Sequence, residues 1–88
     1  MDRTVRAFIE NEPEVMMRIT ALLKRKGYSM KKIVMETEPL MERAWLDITL
    51  LDCELTFGRA LNTIEKVVDV HHVEEVLLNG HSSVHHIR

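Results

Sequence analysis

The chain has 88 residues, 45% of them hydrophobic and 30% charged, the balance of one soluble globular domain and too apolar for a disordered segment. A formal net charge of -2 gives no electrostatic reason to seek phosphate backbones or anionic lipids, whose binding rests mainly on clustered Lys and Arg, so neither nucleic acid nor membrane is an expected partner. Cys53 is the only cysteine, which rules out an intramolecular disulfide and a four-thiolate zinc site, and a reducing, cytoplasmic compartment is expected.

The N-terminal residues run into strand-like sequence with no long apolar stretch, so neither a signal peptide nor a membrane span is expected. From Arg3 to Glu10, Val5, Ala7 and Ile9 alternate with Arg6, Phe8 and Glu10, the period of a half-buried strand. Pro13 suits the first turn of a helix, with Glu12 and Glu14 at its positive end. Val15, Ile19, Leu22 and Leu23 then form one apolar stripe, and Gly27 closes the helix after Lys24-Arg25-Lys26, read as its solvated last turn.

Tyr28 to Glu38 is rich in strand-forming residues and ends at Pro39, which cannot donate to a sheet ladder. The third strand should be central, with Ala44, Leu46, Ile48 and Leu50 on one face and Trp45, Asp47 and Thr49 on the other. Leu51 to Glu54 carries a turn and a capping residue for a second helix whose stripe is Leu61, Ile64 and Val68, flanked by Leu55, Phe57 and Val67. Asp69 to Leu78 reads as a fourth strand, giving a domain over residues 1–80 and a polar tail over 81–88.

The order βαββαβ predicts an α+β, ferredoxin-like domain, an antiparallel four-stranded sheet with both helices on one face. The other face is left open, with Phe8 and Trp45 on it. That architecture hosts unrelated functions, so chemistry must be sought in its loops. A copper or zinc chaperone would need two soft thiolates in the first loop, which holds none. An acylphosphatase-like enzyme would need an arginine there, where Glu10, Glu12 and Glu14 stand instead. Phe8 and Trp45 match the base-stacking positions of an RNA-binding module, but no basic signature accompanies them.

Three segments carry a resemblance. Glu10-Asn11-Glu12-Pro13-Glu14-Val15-Met16-Met17-Arg18-Ile19, then Lys26-Gly27-Tyr28-Ser29-Met30, then Leu61 to Val70 resemble, in order, the signature of ACT domains of acetolactate synthase small subunits. The resemblance implies a non-catalytic regulatory subunit that activates a large catalytic subunit. The thiamine diphosphate used to join two 2-oxo acids in branched-chain amino-acid synthesis belongs to that large subunit, so this chain is expected to hold no cofactor and no metal. It also implies an amino-acid effector site formed by the first loop and the start of the second strand, here Asn11, Glu12, Pro13, Glu14, Val15, Ser29 and Met30.

Two departures bear on that site. Glu14 stands where longer relatives have glycine, placing a carboxylate where backbone must approach an anionic ligand, and Ser29 replaces an asparagine, losing an amide donor and acceptor. The Pro13-Glu14 pair and the single-domain length resemble the short form of the subunit, which is associated with insensitivity to valine, so weak or absent valine feedback is expected. The alternative is a free-standing ACT homodimer that senses an amino acid.

Phe8 and Trp45 are the expected partner-binding residues, because tryptophan is enriched at interface hot spots, and sheet packing in a homodimer is the competing role. A homodimer through a sheet edge or through the helices is expected, since a chain this short has a small core and exposed edges invite pairing. His71 and His72, neighbours in a strand, should point to opposite faces and not chelate one ion, and His81, His85 and His86 fall in the tail. Cys53 and the methionines are read as packing residues, and Arg18 as the partner of Glu14 one turn earlier.

Overall fold

The computed structural model describes residues 2–77. In chain order they form β1 (Arg3–Glu10), α1 (Pro13–Arg25), β2 (Met30–Glu38), β3 (Arg43–Leu50), α2 (Phe57–Glu65) and β4 (Val70–Val76). The strands make one antiparallel sheet in the order β2-β3-β1-β4, so β1 and β3 are central and β2 and β4 are edges. This is the ferredoxin-like architecture expected from the sequence. Residues 78–88, which take in the end of the expected domain and the tail with His81, His85 and His86, lie outside the described residues.

The core follows from the two periodicities. Val5, Ala7 and Ile9 of β1 and Ala44, Leu46, Ile48 and Leu50 of β3 are buried, alternating with half-buried residues on the opposite face. Val15, Ile19 and Leu23 of α1 and Phe57, Ala60, Leu61 and Ile64 of α2 close over that same face. Arg3 shares the parity of Val5, yet stays half-exposed at the strand end. It lies 4.1 Å from the centre of the Phe57 ring and makes two 2.9 Å bonds to Glu75.

The end of α1 shows how local chemistry sets a boundary. Gly27 has φ +94°, its N–H donates to the Lys24 carbonyl at 3.0 Å, and the N–H of Tyr28 reaches back to Leu23 at 3.0 Å. These two bonds satisfy carbonyls that a helix end leaves orphaned, and the left-handed backbone they require favours glycine. Because Gly27 and Tyr28 are used in this cap, β2 begins at Met30 rather than at Tyr28.

Other boundaries differ from expectation for similar reasons. The residue capping α2 is Thr56, with no side-chain cap bond, while Asp52 makes the preceding turn at φ 46°. The second helix stops at Glu65, so Val68 is 70% exposed rather than part of a buried stripe, and Leu55 is exposed as well. A tight turn ends it: Val67 donates to Ile64, Val70 donates to Val67, and Asp69 takes φ 74°. Among the described residues no helix is long and apolar enough to cross a membrane.

Candidate functional site

The open sheet face is built by the alternate residues of the strands. Phe8 and Trp45 are direct cross-strand partners on β1 and β3, with ring centres 4.6 Å apart and planes tilted by 38°. Arg6 faces Asp47 one pair along and donates to both its carboxylate oxygens, at 2.8 and 2.9 Å, while its guanidinium lies 5.7 Å from the Trp45 ring centre. Arg43 faces Glu10 on the other side, bonds it at 3.0 Å and stands 5.7 Å from the Phe8 ring centre. An aromatic pair is thus held between two cross-strand ion pairs. These four charged residues carry the same alternation that places Phe8 and Trp45, but an isolated charge in a strand gives no sign of its partner.

Both β4 histidines reach this side, contrary to the expectation that neighbours point to opposite faces. Phe8 pairs with His72 and Ile9 with Val70, so His71 is the extra residue of a β-bulge and the alternation slips there. His71 Nε2 lies 2.5 Å from Glu10 Oε2, and its ring meets Phe8 edge-on at 6.4 Å. His72 Nε2 lies 3.0 Å from Glu74. The bond from His71, reinforced by Arg43, holds the Glu10 carboxyl below its ordinary range. No cluster of three or more metal-ligating side chains occurs among the described residues.

The first loop lies at one end of the sheet. Asn11, Glu12, Pro13 and Glu14 are exposed, with Glu12 as N-cap and Pro13 opening α1, and the Asn11 N–H donates to Glu42 beside the β2–β3 turn. Val15 is wholly buried in the core. Arg18 does not pair with Glu14. It reaches across to the Val68 carbonyl at 3.3 Å, so it ties α1 to the turn after α2.

Ser29 and Met30 lie at the opposite end. The Ser29 carbonyl accepts from Leu51, and Met30 pairs with Leu50, which faces Arg3 at the beginning of β1. Asn11 follows Glu10 at the other terminus of that strand. Seven steps from Arg3 to Glu10 at roughly 3.3 Å each separate the two segments by about 23 Å. The seven residues expected to hold an effector therefore do not converge within one protomer. Cys53 is buried, its Sγ 3.8 Å from the Leu50 carbonyl, and burial pushes its thiol pKa up, which suits a packing role.

The sheet order, the alternating core and the proline-opened first helix meet in one known pattern, and the ACT domain model matches residues 11–73. The chain belongs to the ACT domain family. ACT domains are regulatory, non-catalytic domains, so regulation is the class of function this membership gives. Comparison with curated proteins finds no match. Among solved structures, this ACT domain is similar to the acetolactate synthase small subunit from Thermotoga maritima, at TM-score 0.78 and 20% identity over 89% of this chain. The chain spans about half, 48%, of that small subunit's length. It is also similar to the ACT domain from GTP pyrophosphokinase of Chlorobium tepidum, in solution, at TM-score 0.71 and 17% identity, over 98% of this chain and 96% of that one. The C-terminal domain of the MgtC protein from Mycobacterium tuberculosis matches at TM-score 0.67 and 13% identity, over 96% and 93% of the two chains. At these identities the likeness is one of fold.

Proposed function

We propose that this ACT domain is a cytoplasmic regulatory subunit that activates an acetolactate synthase large subunit by protein contact, with weak or no feedback by valine. The observation that carries the reading is the open sheet face, where Phe8 and Trp45 form an apolar centre between two paired charges and no described element covers them. An aromatic centre with a polar surround is the anatomy of a protein-binding hot spot. The choice of partner is supported by the three ordered motif matches and by the fold shared with the Thermotoga maritima small subunit.

Activation would come from contacts stronger to the active than to the inactive conformation of the large subunit, which shifts its population. Weak valine feedback is supported by Glu14, exposed at the N-terminus of α1, where its carboxylate repels that of an amino acid. The test is reconstitution with a candidate large subunit, assayed with and without valine, leucine and isoleucine. Activation that persists in valine is expected, and the absence of any rate increase in the reconstituted mixture would refute the assignment.

A second reading, an amino-acid-sensing homodimer, is favoured by β2, an edge strand exposed along most of its length with Ile33 and Val34 uncovered. Pairing of two such edges would extend the sheet. Saturable valine binding to the isolated chain by calorimetry would support this reading over the first.

A further inference from the structure

The charge of this chain is distributed unequally. Every arginine of the sheet has a carboxylate: Arg3 pairs with Glu75, Arg6 with Asp47 and Arg43 with Glu10. On the helices the opposite holds. Arg25, Lys26, Arg59 and Lys66 have no acidic partner among the described residues, and Arg18 donates to a backbone carbonyl.

These five cations surround one groove along the seam of α1 and α2. A hollow of about 370 Å³ at one end is walled by Arg18, Arg25 and Lys66 over a floor including Ala21, Leu22 and Val68. It shares Leu22, Thr63 and Lys66 with a second, about 350 Å³, that adds Lys26 and Arg59. Lys26, Arg59 and Thr63 continue into a third, about 460 Å³, where Asp52 provides the first carboxylate along the groove. Like charges held together without counter-charges repel one another, so the arrangement is relieved by an anionic ligand.

We propose that the α1–α2 seam is a docking surface for an acidic amphipathic helix of a partner protein. The apolar floor selects this occupant, because a phosphate backbone would leave Leu22 and the 70%-exposed Val68 uncovered. The two carboxylate-free hollows also offer no ring on which a nucleic-acid base could stack. An acidic helix with apolar residues on one face satisfies both wall and floor. Arg18 to Lys26 along α1 and the nine residues of α2 make the seam about 13 Å long, room for two to three turns of a partner helix. The surface lies on the face of the domain opposite Phe8 and Trp45, and it stands whether or not the partner is a synthase large subunit.

The experiment uses the full chain and a fluorescein-labelled helical peptide of about 14 residues, glutamate on one face and leucine on the other, followed by anisotropy. The expected result is saturable binding that weakens as salt rises, falls at least roughly tenfold in the Arg59→Glu, Lys66→Glu double variant, and drops several-fold when the peptide's leucines become serines. The neutral pair Lys26→Gln, Arg59→Gln is measured as well and should weaken binding in the same direction, so a misfolded reversal variant does not end the test. Lys32→Gln, which removes an exposed cation from the opposite, open sheet face, should leave binding unchanged. Equal binding by wild type and both basic variants would overturn the proposal. So would no binding by wild type, tighter binding to oligothymidine or to phosphatidylserine vesicles, or self-association of the chain that the same variants abolish.

Discussion

Replacing Trp45 with alanine separates a partner-binding role from a packing one, because the two predict different ratios of lost affinity to lost stability. In the isolated chain, the substitution removes the stack on Phe8 at 4.6 Å and the approach of Arg6 at 5.7 Å. An aromatic pair contributes about 0.5–1.5 kcal/mol and an exposed cation–π contact about 0.5–1 kcal/mol. The sum, about 1–2.5 kcal/mol, lowers the melting temperature of a domain this size by roughly 4–20 °C, at about 4–8 °C per kcal/mol. If Trp45 anchors the large subunit, affinity falls by at least about 2 kcal/mol, or roughly 30-fold. Thermal melting of the free chain and titration of the large subunit well below that melting temperature measure the two terms separately. Trp45→Phe, which keeps a ring against Phe8, should recover most of the stability and part of the affinity. A variant that melts lower but binds the large subunit as wild type does would remove the open sheet face from the interface.

Other consequences follow from single contacts. Gly27→Ala should cost about 1 kcal/mol in urea unfolding, entirely through its φ of +94°, since an added Cβ meets nothing within 4 Å; an unchanged midpoint would contradict the cap. Glu10 has a depressed pKa in the folded chain, so its contribution is present above the ordinary glutamate value and is lost as pH falls through the lower folded value. Glu10→Gln should accordingly flatten the acid limb of the stability profile, and an acid limb parallel to wild type would refute the pairing with His71 and Arg43. A double-mutant cycle on Arg6 and Asp47 should return a coupling of about 1 kcal/mol, since the bond is bidentate but partly exposed, and zero coupling would mean solvent screens it fully.

How much of this was legible in the sequence depends on how local each cause is. The strands β1 and β3 and the start of α1 were readable because alternation and a proline at the first helical turn act within a few residues. The end of α2 was not, because Val67 and Val68 continue an apolar pattern while the chain turns through Asp69, whose left-handed backbone leaves no mark in periodicity. The bulge at His71 was hidden for a related reason: whether one residue is skipped depends on the partner strand, where Phe8 and Ile9 face His72 and Val70. Arg18 failed as a pairing prediction because a helix neighbour at the right spacing competes with a carbonyl distant in sequence but close in space.

The seam cations went unread for a more general reason. A net charge of -2 averages over the surface, and here the average conceals a sheet whose arginines are each neutralised and a helical layer whose cations are not. The same limit applies to the first loop and Ser29, about 23 Å apart on one protomer although they belong to one motif series. An effector touching both Asn11 and Ser29 would have to be held by two protomers, and its binding would then be linked to their association: it would lower the dissociation constant of the dimer by the factor by which dimerisation raises its own affinity. Sedimentation with and without an amino acid therefore probes that site even where enzymatic feedback is absent. A dimer equilibrium that does not move in saturating ligand would mean the two segments do not share an effector.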